Sequence, residues 1–306
     1  MFARRLNAQM HHVHFLKYKR PFYAPFKYPL QWLQTWLLLS KARPAYVYVT
    51  NPPVFAGLCV YFFCLFSGTK FIMDTHSPAL FSRKWGWSLF LQRWVATKAT
   101  LNVTDQIRFK RMFESWGSKA IVLERPPKVV PIVDILPAQE SATKVAVVNT
   151  FAEDEPLECI LDAAKLLPTV EFYITGDLKR VSQETVSNAP ANCKWTDYLH
   201  GEQYWALLHN CDMVLALTTF PYSLLGGAQD GMALGKPVLV SDQPALREYF
   251  YQGTLFVGHA GPSIAEAVKI AQKNKARLSQ EMYVLRDEHA AQWNSTFREL
   301  EALVQC

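Results

Sequence analysis

The residues best suited to chemistry in this 306-residue chain lie in the run TTFPYSLLGGAQDGMALGKPVLVSD, positions 218–242. An apolar strand over 213–217 leads into a loop carrying Gly226 and Gly227. A helix is expected to follow, with Asp230 in its first turn. Backbone N–H groups and the positive end of a helix dipole suit a diphosphate, and a carboxylate at Asp230 suits the hydroxyls of a ribose. Gly235-Lys236-Pro237 then ends the helix and starts the next buried strand. A structural turn whose acid complements the helix dipole is the other reading of the same residues.

Further candidates sit just after other apolar runs. His76 follows FIMD, and Asp74, two residues earlier, could orient its ring. Lys179 and Arg180 follow EFYIT and Gly176-Asp177, a place from which a cation can neutralise phosphate; a solvated face is the alternative. Asp197-Tyr198-Leu199 follow CKWT. Glu153-Asp154-Glu155 open a helix expected over 156–166 and read as capping groups and dipole complement. No GxGxxG or GxxxxGK[ST] occurs, which argues against a dehydrogenase and a P-loop hydrolase. The six cysteines lack CxxC spacing and read as buried thiols, not metal ligands.

These residues need a scaffold, and the sequence describes one. Runs of strand length alternate with amphipathic stretches of helix length, the pattern of a parallel sheet covered on both faces. Strands are expected at 11–16, 45–50, 70–74, 101–104 and 120–123, then again at 144–149, 171–175, 193–196, 213–217, 237–241 and 255–257. Helices are expected at 28–41, 55–66, 85–98, 106–116, 156–166, 203–209 and 229–234, with a helical tail from 262 broken near Leu278. Arg125-Pro126-Pro127-Lys128 and the prolines of 131–143 break the pattern and mark a linker, placed at 131–143. The expected organisation is α/β with two Rossmann-like domains, 1–130 and 144–280, with 281–306 a helix crossing back to the first. Ligands of such sheets bind at the carboxyl ends of the strands. Charge divides along the same line. Residues 1–130 hold 19 Lys/Arg and four acids, whereas the remainder holds 13 Lys/Arg and 22 acids. The basic half points to an anionic partner.

The block DGMALGKPVLVSD resembles the nucleotide-sugar signature of GT-B glycosyltransferases, in which an acid precedes a helix ending in Gly-x-Pro-Val. Asn51-Pro-Pro, SGTKFIMDTHS, LNVTDQIRFKRMFESWGSKAIVLERPP, NTFAEDEP, EFYITGD and DMVLALTT follow in order. This set is similar to the chitobiosyldiphosphodolichol β-mannosyltransferase family and its prokaryotic relatives. The resemblance implies a donor domain that binds a nucleotide diphospho-sugar through Lys179, Arg180, the backbone at Leu199, Gly226, Gly227 and Asp230. It makes His76 and Asp74 the catalytic candidates. Transfer then rests on stabilising the departing diphosphate by helix dipole and Lys/Arg, with no cofactor and no metal motif. Tyr222 occupies the place of the second acid of the usual GT-B motif, an acid that the β-mannosyltransferase family also lacks, whereas Thr75-His76-Ser77 departs from that family, which carries Trp-His-Asn there.

The expected function is therefore transfer of a hexose to a lipid-linked or polysaccharide-precursor acceptor at the cytoplasmic face of a membrane. The basic, aromatic stretch FLKYKRPFYAPFKY, positions 15–28, is expected to give peripheral membrane contact. An aromatic structural loop is its alternative, and no nucleic-acid module accompanies it. The family's first strand and glycine-rich loop have no counterpart in this sequence, so weak turnover without some 50–60 upstream residues is expected. A non-catalytic or partner-dependent GT-B module and a sugar-nucleotide epimerase are the competing readings.

Overall fold

The computed structural model describes residues 5–15, 23–82, 84–126, 128–131 and 142–305. The chain forms two compact units: Met1–Pro126 with Gln292–Cys306, and Pro127–Ala291. Each is built on one parallel sheet flanked by helices, the expected α/β class.

In the first unit, α1 (Ala24–Ala42) precedes four strands paired in the order β1-β2-β3-β4: Tyr46–Asn51, Lys70–Thr75, Leu101–Thr104 and Ala120–Val122. Between them run α2 (Val54–Ser67), α3 (Ser77–Phe81), α4 (Leu89–Ala96) and α5 (Ile107–Ser115). Gly68 closes α2 in the left-handed conformation at φ +73°, which a glycine adopts without a Cβ clash. One face of the sheet packs Val49, Phe71 and Met73 against Val60 and Phe63 of α2 and Val95 of α4. The other packs Ile72, Leu101 and Val103 against Trp293, Phe297 and Leu300 from the far end of the chain. The Trp293 indole donates to the Glu124 carbonyl at 3.1 Å, so its one polar atom is satisfied.

The second unit pairs six parallel strands in the order β10-β9-β8-β5-β6-β7. They are β5 (Lys144–Val148), β6 (Glu171–Thr175), β7 (Cys193–Asp197), β8 (Met213–Ala216), β9 (Val238–Ser241) and β10 (Thr254–Val257). The helices are α6 (Leu157–Leu166), α7 (Gln183–Ser187), α8 (Gly201–Asn210), α9 (Gly226–Ala233), α10 (Pro244–Tyr249), α11 (Gly261–Lys273) and α12 (Lys275–Gln305). β8 and β9 are buried at every position, as the continuous runs MVLA and VLVS require of central strands. The strand order reverses between β5 and β8, which makes their carboxyl ends the switch point of the sheet.

Three sequence-based expectations need correction, and three short helices were missed. Residues 11–15 form no strand. His11, His12 and His14 are exposed, and the Val13 carbonyl accepts from the Gln31 side chain at 3.2 Å instead of a neighbouring strand. The sheet therefore starts at β1. α9 begins at Gly226, not after it, so Asp230 lies in the second turn, because the glycines let the helix start in contact with β5. The break in the tail falls at Asn274, whose side chain takes the Ile270 carbonyl at 2.9 Å. The short helices α3, α7 and α10 escaped notice because five or six residues span less than two turns of apolar pattern. The linker expected at 131–143 and the aromatic stretch at 15–28 fall partly outside the described residues.

Candidate functional site

The switch point of the second sheet gathers several of the expected residues. Gly227 sits where a Cβ would come 2.5 Å from the Val148 side chain at the end of β5, so only glycine lets α9 approach this closely. Leu225, the N-cap of α9, offers the helix no side-chain hydrogen bond. The first N–H groups of the helix, those of Gly226 and Gly227 among them, therefore have no partner within it. Gly231, one turn on, continues the close approach: a Cβ there would come 3.0 Å from the Val214 side chain.

Around this helix end, three strand ends are tied together. After β5, the Glu155 carboxylate accepts from Thr150 N at 2.6 Å, Thr150 Oγ1 at 3.0 Å and Ala152 N at 3.2 Å. Asp154 reaches β8: it accepts from Thr218 Oγ1 at 2.6 Å, and its carbonyl accepts from Thr219 N at 2.6 Å. Neither acid caps α6, which starts at Leu157 without a side-chain cap. The expected capping role is thus replaced by loop bracing. Ser241 Oγ accepts from Thr218 N at 2.8 Å and contacts His259 Nε2 at 2.9 Å, a histidine that sequence reasoning assigned no role.

From β6, the chain turns through Gly176, where a Cβ would meet the Asn149 carbonyl and the Phe151 ring, each at 2.5 Å. The turn Leu178–Arg180 follows. Arg180 donates to the Thr150 carbonyl at 2.7 Å, which fixes its guanidinium beside the loop after β5; Lys179 lies exposed on the same turn. Leu199 is half-buried after β7. Before it, Asp197 accepts from Leu178 N at 3.2 Å, and backbone donors from Leu178 and Tyr198 hold its carboxyl below the usual range.

Asp230 faces inward, only 6% exposed. It accepts from the Tyr204 hydroxyl of α8 at 2.8 Å and from the Lys128 ammonium, which also forms its ion pair. Burial, then the Asp230 charge, pushes the Tyr204 phenol up and keeps it a donor. Sequence reasoning missed both partners. Lys128 lay in a proline-rich stretch read as linker, and nothing in GEQYWALL marks Tyr204 as more than a helix residue.

In the first unit, Asp74, next to last in β2, lies beside His76, with Oδ2 3.7 Å from Nε2. The backbone N–H of His76 donates to the Asn51 carbonyl at 2.9 Å, which pins the turn into α3. Asn51 is itself locked by a 2.6 Å bond to Gln92 Oε1. Asp105, directly after β3, joins the same electrostatic cluster: burial pushes its carboxyl up to about 6, and the His76, Asp74 and Arg125 charges act on it. Burial also raises Asp74, opposed by His76 and by the hydrogen bond from Tyr48. Asp105 Oδ1 is buried with no hydrogen-bond partner among the described residues. Burial thus favours the protonated form of two carboxyls that share one electrostatic cluster with the His76 imidazole. Asp105 had a signal that sequence reasoning passed over, since it too immediately follows a strand.

Residues 150–301 match the family described as glycosyl transferase-like. No curated protein matches the chain. Among solved structures, sucrose-phosphate synthase from Thermosynechococcus elongatus superposes with a TM-score of 0.73 at 13% identity, covering 94% of this chain and 81% of that one. HepE from Anabaena, solved with UDP and glucose, gives 0.72 at 14% identity, with 92% and 84% covered. A glycosyltransferase from Rickettsia africae gives 0.73 at 11% identity, with 99% and 86% covered. The chain thus has the two-sheet GT-B fold, and its segment 150–301, which holds α9 and the loops at the switch point, is similar to the glycosyl transferase-like family.

Proposed function

We propose that the chain moves a hexose from a nucleotide diphospho-sugar to a lipid-linked or polysaccharide-precursor acceptor at the cytoplasmic face of a membrane. The observation that carries this reading is the uncapped amino terminus of α9, seated by Gly227 on the end of β5 within the matched segment. In this reading the N–H groups of Gly226 and Gly227 hold the diphosphate. Arg180 and Lys179 neutralise its charge, the backbone at Leu199 meets the base, and Asp230 takes the ribose. The solved HepE and the pneumococcal O-GlcNAc transferase GtfA hold UDP, which supports a uridine donor as the first to test. The likeness to the β-mannosyltransferases adds a mannosyl nucleotide. His76 and Asp74 are the proposed catalytic pair, with Asp105 tuning their protons.

The test is transfer of label from a panel of radioactive nucleotide sugars into a membrane lipid extract. Label should enter the organic phase with one donor, and His76→Ala should abolish that signal. Asp230→Ala should weaken nucleotide binding by roughly 1–3 kcal/mol, the usual cost of losing a charged hydrogen-bond partner. If no donor on the panel is either bound or consumed, the reading fails.

A further inference from the structure

The first unit carries a broad apolar surface exposed to solvent. α1 lays Tyr28, Trp32 and Trp36 towards α2, with Tyr28 4.7 Å from Phe55 and Trp32 5.9 Å from Phe62, ring to ring. None of its residues is buried. Phe26, Leu30, Leu33 and Leu37 recur at helical spacing on a second stripe and all stand exposed, Leu37 by 60%. α2 adds Phe66, 77% exposed, and the segment around α4 adds Trp87, Trp94 and Phe90, the last 67% exposed. Ring contacts Trp36–Phe66 (6.1 Å), Phe62–Trp94 (6.4 Å) and Phe55–Trp87 (6.4 Å) join the three outer sides into one surface. An apolar groove of about 510 Å³, lined by Tyr28, Trp32, Trp36 and Phe55 among others, indents it. Isolated exposed apolar residues need no explanation; a contiguous field of them marks a docking site.

Charge identifies the occupant. No Asp or Glu occurs in residues 1–73 or 75–104, while Lys27, Lys41, Arg43, Lys84, Arg93 and Lys98 lie in or beside these helices. Cations interleaved with Trp, Tyr and Phe fit a bilayer interface, where rings sit at headgroup depth and Lys/Arg meet anionic phosphate. A second copy would bring two strongly basic surfaces together at a Coulombic cost. Among the described residues no helix is long and apolar enough to cross a membrane.

We propose that the face formed by α1, α2 and α4 docks the chain on an anionic lipid bilayer, with α1 lying in the plane of the headgroups. The inference deepens the membrane part of the function proposed above and rests on it, but not on the donor assignment. The test is co-sedimentation with vesicles of phosphatidylglycerol and phosphatidylcholine against phosphatidylcholine alone, with UDP titration of the same proteins. The chain should partition at least about tenfold more strongly to the anionic vesicles, and the gap should shrink at high salt. Leu33→Glu/Leu37→Glu/Phe90→Glu and, separately, Lys84→Glu/Arg93→Glu should each lower that partition by a similar factor while UDP binding stays as in the parent. Equal sedimentation of parent and both variants overturns the proposal. So does a concentration-dependent dimer that the triple variant abolishes, with no vesicle binding by the parent. A chain that binds vesicles as expected but no nucleotide overturns the donor assignment alone.

Discussion

The site turns on a few residues whose neighbours fix what they can do. Gly227 is the sharpest case. An alanine there would drive its Cβ into Val148 at 2.5 Å, so Gly227→Ala should cost roughly 1–3 kcal/mol of stability, the usual range for overpacking. It should also weaken nucleotide binding by displacing the end of α9. Denaturant melts paired with calorimetry read both effects, and unchanged values in both would contradict the packing account. Tyr204→Phe removes the donor to Asp230 Oδ2 and should cost about 1–2 kcal/mol in the same melts. Asp105 makes stability depend on pH. Its carboxyl, raised from 3.8 to about 6, binds its proton more tightly in the folded chain. The resulting penalty is absent below the unfolded pKa, grows between the two values and is complete above the folded one. Asp105→Asn should therefore stabilise the chain at roughly pH 8 by about 1–3 kcal/mol and have almost no effect at about pH 3. A gain of equal size at both pH values would rule out titration as its cause. Of these residues, Gly227 and Asp230 were legible because glycine pairs and acids near a helix start are local signals. Tyr204 and Lys128 were not: their meeting with Asp230 spans 26 and 102 positions of sequence.

At the scale of elements, the buried strands and long helices were readable because their periodicity is unbroken over a full turn or pleat. The run MVLA is apolar at every position, and the structure buries every position. The misread elements failed for local reasons, and the strand expected near residue 11 shows one of them. An alternating pattern such as HHVHF suggests a strand, but a strand also needs a neighbour, and Gln31 occupies the carbonyl that a neighbour would use. The loop after β5 was equally opaque, since three acids before an apolar run look like a capping cluster. Its structure depends on Glu155 gathering three donors from Thr150 and Ala152. Glu155→Ala should speed hydrogen exchange at the Thr150 and Ala152 amides by tenfold or more, as local opening loses roughly 1–3 kcal/mol of resistance. Protection as strong as in the parent would mean that the loop is held some other way.

At the scale of the whole molecule, two sheets carry two kinds of chemistry: buried, proton-retentive carboxyls beside His76 in the first unit, and an uncapped helix end at a strand-order reversal in the second. The basic balance of residues 1–130 was readable by counting, but the apolar face of α1, α2 and α4 was not. Apolar residues in an amphipathic pattern normally read as core, and only the folded chain shows which stripe is left outside. The central claim is that the amino terminus of α9 holds a diphosphate. It is tested most directly by calorimetric titration of the chain with UDP and with uridine, repeated on Gly227→Ala. UDP should bind at least about tenfold more tightly than uridine, a diphosphate contribution of about 1.4 kcal/mol or more, and the substitution should narrow that gap. Measurable uridine binding with no advantage for UDP, or a gap that Gly227→Ala leaves intact, would contradict the account.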